Sequence, residues 1–467
     1  MNLTPVQNKA AKLLLGAALG LFLALGAAAL EAPAPGYAIT RSASRGASAL
    51  GIGSQSADPA LVSNFYRAVL PGKGVRAAAA GRGLPAKGSP KMLVLLVDFD
   101  DYPARAGDTP AHMSDLIFGA GGDFPYESLT AYYRRSSGGQ LEVRGEVLGW
   151  YRAGLRSEIP QTREGRDAVI KRALLAYPDH DLTQYDSDGD GVIDYLAVIW
   201  TGPTGEWATF WWGCATWFSD PSFTAGGVRP GRYSWQAVLS NHQAPGEEYS
   251  VRTLLHETGH ALGLPDYYDY APGVGPDGGL GYFDMMDANR YDHNCFSKIL
   301  LGWVQPRVVA EAGEFGLQAA GEGGDCVVVI PAGKSGQRPD EVFIVERRSG
   351  TGNDARLGSG GGFVVWHVDI TPGEGGARFR YNNQTTEHKL IKFMEADGLE
   401  ELESGKSKAV TQADFFAAGG SFGAGSGPSS ALYGGEAGGV EMYFSAGAPL
   451  DLVALKYPAQ PVLAAAR

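Results

Sequence analysis

Cysteine is scarce in this sequence of 467 residues, which contains only Cys214, Cys295 and Cys326. Three thiols allow at most one internal disulfide, and the sequence does not show which two would pair. The cysteines are far apart and have no histidine partners at the spacing of metal ligands, so a cysteine-based zinc site is not expected. We interpret all three as small buried residues.

The chain also lacks long basic runs and, beyond its N-terminus, long apolar runs. Its net charge of −12 argues against a nucleic-acid partner. The N-terminal apolar run, residues 13–25, follows Lys9 and Lys12 and precedes the small residues 26–29. This order favours a removed signal peptide at residues 1–29 over a membrane anchor, because the run is short for a span and diluted by alanine and glycine. We therefore expect a secreted protein with no membrane anchor after processing.

Residues 30–90 are rich in alanine, glycine, serine and proline, with one short apolar patch at residues 61–70. This composition lacks the periodicity of a packed domain and predicts a pro-segment or flexible leader, with a plain linker as the alternative. The segment contains no cysteine, which excludes a latch formed by a cysteine on zinc.

The most informative segment is HETGHALGLPD, residues 256–266. Two histidines four positions apart lie on the same face of a helix, so His256 and His260 can both reach one zinc ion at about 2.0–2.1 Å. Glu257 projects beside the metal rather than onto it. There it can act as a general base toward water.

The residues after the second histidine supply the helix end and a third ligand. Gly263 accepts the left-handed turn at a helix C-terminus, and Pro265 prevents the helix from continuing. The chain then turns back and carries Asp266 toward the metal, with Asp269 as a competing candidate. Three protein ligands leave one coordination position for water, as in catalytic rather than structural zinc sites. His293 is interpreted as a surface or outer-shell histidine. The pattern predicts an enzyme with one catalytic zinc ion.

A second metal loop is predicted at residues 186–194, DSDGDGVID. Acidic side chains alternate along it, with a glycine at the tight turn, as in the first half of an EF-hand loop. The predicted calcium ligands are Asp186, Asp188, Asp190, Asp194 and the carbonyl of Val192. Ala197 occupies the position of the bidentate glutamate of a complete EF-hand. Because four nearby carboxylates would repel one another without a cation, we expect a structural Ca²⁺ rather than a solvated turn.

The remaining pattern divides the chain near residue 307. Before this point, apolar runs and helical periodicities alternate, which predicts a mixed sheet backed by helices. The predicted strands are residues 92–97, 141–147, 195–200 and 233–239, and the predicted helices are residues 126–135 and 163–177. After it, glycine is frequent and short β-rich runs predict a sandwich-like module. These runs are residues 326–330, 342–346, 362–368 and 390–395, while residues 419–439 are predicted to be loop.

Several segments, in order between residues 91 and 398, resemble the immune-inhibitor-A-type secreted bacterial metalloproteases. They are YESLTAYYRRSSGGQLEV, DSDGDGVIDYLAVIW, HETGHALGLPDYYD, LGYFDMMDANRYD, FSKILLGW, EVFIVERRSGTGNDARLGSGGGFVVWHVD and HKLIKFMEADG. The zinc segment is also similar to that of snapalysin, whose third ligand is an aspartate at the same spacing. The resemblance covers much more of the chain than the zinc motif alone.

The resemblance implies an α+β architecture, with a metzincin-like zincin catalytic domain at residues 91–307 and a β-rich, sandwich-like domain at residues 308–467. In such a catalytic domain a methionine-containing turn forms a hydrophobic floor beneath the zinc. Met286 matches that position, with Met285 as the alternative. A helix at residues 296–303 would pack behind the site, and His367 matches a position of structural type that is not expected on zinc.

The implied reaction is hydrolysis of internal peptide bonds in protein or peptide substrates, with Glu257 as the proton acceptor. A tyrosine often assists the oxyanion in such sites, and the candidates are Tyr267, Tyr268, Tyr282 and Tyr291. Two other functions fit parts of the sequence: an inactive protease-fold binding protein and a calcium-stabilised secreted adhesin. The intact Glu257 disfavours the first.

Overall fold

A computed structural model describes residues 56–70, 83–120, 126–239, 249–269, 274–276, 279–334, 338–404, 409–448 and 450–457. Its helices are α1 (Pro59–Val69), α2 (Pro110–Phe118), α3 (Leu129–Ser136), α4 (Arg163–Leu175), α5 (Arg252–Ala261), α6 (Met285–Ala288) and α7 (Cys295–Leu300). The predicted signal peptide lies outside the described residues. Among the helices described, none combines the length and hydropathy that crossing a bilayer requires.

Three sheets contain the strands. The first is formed by β1 (Lys91–Asp98), β2 (Arg144–Arg152), β3 (Val192–Trp200), β4 (Cys214–Trp217) and β5 (Arg229–Ala237). The second is formed by β6 (Arg307–Val309), β8 (Cys326–Val329), β9 (Glu341–Ser349), β10 (Gly361–Asp369) and β11 (Ile391–Phe393). The third is formed by β7 (Gly313–Leu317), β12 (Ser421–Phe422), β13 (Glu441–Ser445) and β14 (Asp451–Lys456).

The first sheet has the order β2-β1-β3-β5-β4, with four parallel strands and an antiparallel edge strand, β4. β1 and β3 are buried almost throughout, because helices cover both faces of a parallel sheet. Their continuous apolar runs therefore identified them correctly from the sequence. β2 begins at Arg144, three residues after the predicted start; Leu141 forms only an isolated bridge to Gly88.

Alternate side chains of the first sheet enter two separate cores. On one face, Met92, Val94 and Leu96 of β1 pack in a cluster that also contains buried residues of α5, α7 and α3. On the other face, Leu93, Leu95 and Val97 pack with α4. The predicted mixed sheet with helices is thus confirmed as a mixed α/β arrangement.

The β-rich half shares a hydrophobic core with the face of the first sheet that packs against α3, α5 and α7. The second sheet has the order β11-β10-β9-β8-β6. Val328, Ile344 and Trp366 from one of its faces belong to the same cluster as the buried residues of α5. The opposite face packs against the third sheet, of order β12-β13-β14-β7. One hydrophobic cluster therefore crosses residue 307.

Within residues 30–90, residues 59–69 form α1, although the composition of the segment lacks the periodicity of a packed domain. Asp58 caps the first turn by accepting a hydrogen bond from the Ala60 amide at 2.8 Å, and Pro59 occupies the first turn, a position that tolerates its missing N–H. The apolar side chains of α1 are buried against the main core; they are Leu61, Val62, Phe65, Tyr66 and Val69. The sequence shows this patch, but the proline- and alanine-rich residues around it did not indicate a packed helix.

Candidate active site

The zinc-motif segment forms α5, and local hydrogen bonds end the helix where the sequence predicts. The Leu264 amide donates to the Gly259 carbonyl at 3.0 Å, and the Gly263 amide donates to the His260 carbonyl at 2.9 Å. This pair of bonds is the Schellman motif, which requires a residue in the left-handed region after the helix. Gly263 provides it with a φ of 100°. The turn directs the chain back along the helix.

The turn brings the three predicted zinc ligands together. The Oδ1 atom of Asp266 lies 3.0 Å from Nε2 of His256 and 3.2 Å from Nε2 of His260. All three side chains are buried. Burial by itself raises the pKa of Asp266, but the imidazoles of His260 and His256 outweigh that effect and hold the pKa below its usual range. Asp269 does not belong to this group of close donor atoms.

Each imidazole is fixed through its other nitrogen. His256 Nδ1 lies 2.9 Å from the Met285 carbonyl oxygen, and His260 Nδ1 lies 2.9 Å from the Leu264 carbonyl oxygen. A carbonyl only accepts, so each Nδ1 carries a hydrogen, which leaves Nε2 as the nitrogen available to a metal. Both Nε2 atoms are the ones that lie beside Asp266. This is the outer-shell arrangement that orients histidine ligands on a metal.

Glu257 is buried beside the histidines, and its Oε2 atom has no hydrogen-bond partner among the described residues. Burial raises the pKa of Glu257 to about 8, against the lowering effect of His256. A carboxylate with such a proton affinity is suited to accept and release a proton near neutral pH.

The methionine turn lies under the helix. Asp284 caps α6 by accepting from the Met286 amide at 2.6 Å. The side chain of Met286 packs so close to α5 that a Cβ added at Gly259 would lie 2.3 Å from its sulfur atom. Met285 contributes differently, through the carbonyl that holds His256. Of the two methionines, Met286 is therefore the one whose side chain touches the zinc-motif helix at Gly259.

The other candidate residues occupy different places in the structure. The hydroxyl of Tyr267 is 2.7 Å from Ser297 Oγ in the core, whereas the Tyr268 ring lies 6.5 Å from the His256 ring. His293 is buried, not at the surface, and packs against Tyr133 behind α5. Burial lowers its pKa to about 3, so it is neutral.

The remaining candidates lie elsewhere. His367 is in β10, with Nε2 2.6 Å from Glu341 Oε2. Tyr282 and Tyr291 both adopt left-handed backbone conformations around the methionine turn, and the ring of Tyr291 packs on Phe283.

The acidic loop brings together three of its predicted calcium ligands, Asp186, Asp188 and Asp194. Asp190 lies outside this group, and its Oδ1 accepts a hydrogen bond from the Val192 amide at 2.9 Å. Burial raises the pKa of Asp194. Asp188 and Asp194 also line a cavity of about 240 Å³ that reaches Gly263 at the end of α5. The loop is therefore a neighbour of the zinc-motif helix.

Arg232, a residue of β5 that was not predicted from the sequence, supports α5. Its guanidinium donates a hydrogen bond to the His260 carbonyl oxygen and lies 4.8 Å from the Trp217 ring. A cation at the C-terminal end of a helix complements the helix dipole. No local pattern reveals this contact, because β5 and α5 meet only in the folded chain.

Part of the chain is similar to known metalloproteases. Residues 81–295 match the family described as "Immune inhibitor A peptidase M6, catalytic domain". "Pre-pro-metalloprotease PrtV" of Vibrio cholerae serotype O1 is 27% identical over 44% of this chain and 28% of its own length. "Immune inhibitor A" of Bacillus thuringiensis subsp. alesti is 29% identical over 38% of this chain and 33% of its own length. The chain thus spans only a minor part of either relative. The resemblance to the immune-inhibitor-A-type metalloproteases is confirmed.

Proposed function

We propose that this chain, whose residues 81–295 match the immune inhibitor A peptidase family, is a secreted zinc-dependent endopeptidase. The observation that carries the proposal is the meeting of His256, His260 and Asp266, with donor atoms within 4.8 Å of one another. The acidic character of the chain and the names of its relatives support protein or peptide substrates rather than nucleic acid.

The donor set suits zinc in its chemistry and its spacing. Two neutral imidazoles and one carboxylate are common ligands of catalytic zinc, at about 2.0–2.2 Å in a tetrahedral arrangement. Tetrahedral ligands at such distances lie roughly 3.3 Å apart, and the histidine–aspartate separations are 3.0 and 3.2 Å. Three protein ligands leave the fourth position for solvent or substrate.

The residues of the site have separate roles in the proposed reaction. When bound, zinc supplies Lewis acidity and lowers the pKa of water to about 7. His256, His260 and Asp266 hold it, with both imidazoles oriented through Nδ1. Glu257 accepts the proton of the attacking water and passes it to the leaving amine. Tyr268, the candidate tyrosine whose ring is near His256, is proposed to assist the oxyanion.

The position of β4 at the edge of the first sheet is an argument for an extended peptide as substrate. Among the described strands, β4 pairs with β5 alone. Trp217 at the end of β4 lies under the Arg232 guanidinium, which binds the His260 carbonyl of α5. An extended peptide can add to such an edge through main-chain hydrogen bonds. This mode recognises internal segments of a polypeptide, as an endopeptidase must.

The finer assignments are also proposals. Residues 91–307 form a metzincin-like domain, supported by the methionine turn under α5. The β-rich half is sandwich-like, supported by the core that β9 and β10 share with β13 and β14. The acidic loop binds a structural Ca²⁺, supported by Asp186, Asp188 and Asp194. Residues 1–29 serve as the export signal, and residues 30–90 include a pro-segment.

The test is casein hydrolysis by the purified protein, with and without a zinc chelator, beside elemental analysis of the metal. Chelator-sensitive cleavage by a zinc-loaded protein is expected. Zinc loading without cleavage would select the inactive binding protein. A protein that takes up calcium but no zinc would select the adhesin, whose function would depend on the β-rich half.

A further inference from the structure

The loop that carries Asp266 is bound by residues more than a hundred positions later in the chain. Gln384 donates a side-chain hydrogen bond to the Asp266 carbonyl oxygen. Asn383 donates to the next carbonyl, that of Tyr267, at 3.3 Å. Both donors are buried, with Gln384 fully so. The peptide units on both sides of Tyr267 are thus held by side chains from the β-rich half.

These donors lie in a turn, residues 382–386, whose own hydrogen bonds fix its shape. Asn382 Oδ1 accepts from the amides of Gln384 and Thr385 at 2.9 and 2.8 Å. Thr386 Oγ1 donates to the Asn382 carbonyl at 2.7 Å. Asn383 also exchanges hydrogen bonds with the backbone of Ile391, the first residue of β11, at 2.8 and 3.0 Å. The turn is therefore anchored to the second sheet.

The same half of the chain holds the loop further along. Lys389 Nζ donates to the Gly279 carbonyl at 2.9 Å and pairs with Glu403 at 2.8 Å. The Val410 amide donates to the Gly281 carbonyl at 2.8 Å. The loop from α5 to the methionine turn is consequently supported at both ends by residues that lie outside the matched catalytic region, which ends at residue 295.

We propose that the turn at residues 382–386 is a positioning element for the third zinc ligand, so that the β-rich half completes the active site. This inference rests on the proposed function, because it takes Asp266 as a ligand. Asp266 follows Pro265 in a loop, where its peptide unit is also held by the Tyr267 amide, which donates to the Met286 carbonyl at 2.9 Å. Metal ligands must be held within about 0.5 Å of their working position. Hydrogen bonds to the Asp266 and Tyr267 carbonyls restrict the rotation that would carry the carboxylate away from the two imidazoles.

The main test compares two substitutions that each remove one amide from the full-length protein. Gln384→Met keeps the side-chain length and removes the donor to Asp266. Gln412→Met is the control at an exposed position of the β-rich half. Its side-chain amide also binds backbone: it accepts from the Gly361 amide at 2.8 Å and donates to the Gly361 carbonyl at 2.9 Å. Zinc affinity is measured by chelator competition, and the ligand geometry by the visible spectrum of the cobalt(II) form.

Gln384→Met is expected to weaken zinc binding by about 10–100-fold, the usual effect of removing an outer-shell partner, and to change the cobalt spectrum. Gln412→Met is expected to leave both unchanged. The melting temperature of each metal-free variant is measured in parallel, which separates loss of the ligand from loss of the fold. Asn383→Ala is carried through the same assays, with a smaller expected loss, because its carbonyl partner is one residue beyond the ligand.

Two claims can be overturned separately. If the wild-type protein binds zinc tightly and the Gln384 and Asn383 variants match it in affinity and spectrum, the positioning role is wrong while the proposed function stands. The positioning role is equally wrong if zinc affinity falls only in proportion to the melting temperature of the metal-free form. If the wild-type protein itself does not bind zinc, the proposed function fails, and its premise fails with it.

Discussion

Replacing Phe65 tests whether α1 belongs to the folded protein. Its ring is completely buried and lies 5.0 Å from the Phe296 ring in α7 and 5.9 Å from the Phe379 ring in the β-rich half. Edge-to-face contacts such as these contribute beyond the buried area. Phe65 therefore joins α1 to both halves of the protein, at the helix behind the candidate active site.

Phe65→Ala is expected to lower the free energy of unfolding by about 3–5 kcal/mol, as for other buried phenylalanines. The matched control is Leu175→Ala at the end of α4, where the side chain is 59% exposed. A surface change of that kind stays within about 0.5 kcal/mol. Both substitutions are made in a Glu257→Ala background, in which self-cleavage is suppressed if the proposed mechanism holds.

The measurement is guanidinium denaturation followed by tryptophan fluorescence, since the chain has nine tryptophans. The denaturation midpoint of the Phe65 variant is expected well below that of the Leu175 variant at unchanged slope. Equal midpoints would refute the reasoning and would show that residues 59–69 do not contribute to the stability of the fold. Sequencing the mature N-terminus then shows whether processing keeps α1, as its burial leads us to expect.

Four further predictions concern the metal sites. Glu257→Ala should retain zinc but lose casein hydrolysis by about 10²–10⁴-fold; near-normal cleavage by a zinc-loaded variant would contradict the mechanism. Asp266→Ala should lower zinc occupancy in elemental analysis, and unchanged occupancy would remove Asp266 from the ligands. Gly259→Ala should cost about 1–3 kcal/mol in thermal or denaturant unfolding, because the new methyl group displaces Met286; a neutral effect would argue against that contact. Calcium removal should lower the melting temperature of the wild-type protein but not of Asp186→Ala, and an equal drop in both would exclude this loop as the calcium site.

The sequence predicts those parts of the fold that depend on neighbouring residues. The apolar runs of β1 and β3 are long enough to identify buried parallel strands without tertiary information. Gly263 and Pro265 likewise predict the end of α5, because the Schellman motif is local. The resulting turn also supplies the Leu264 carbonyl that holds His260, four residues away. Local rules thus account for one imidazole and for the approach of Asp266.

Contacts between distant segments could not be predicted in this way. His256 is held by a carbonyl 29 residues later, and Asp266 by an amide 118 residues later. Neither Met285 nor Gln384 has a side-chain type that indicates such a role. Helix α1 was not predicted for a related reason. Its five apolar residues form a core face only when the second sheet and α7 cover them.

Each of the three donors therefore has its own support. The end of α5 holds His260, the methionine turn holds His256, and the turn at residues 382–386 holds the backbone of Asp266. These supports belong to different parts of the chain, but the shared core joins them. The Met286 carbonyl also accepts from the Tyr267 amide at 2.9 Å, so the methionine turn supports Asp266 as well. Loss of the Gln384 hydrogen bond should therefore displace Asp266 alone and leave both imidazoles in place. Partial loss of zinc affinity, rather than general unfolding, is the result that follows from this division.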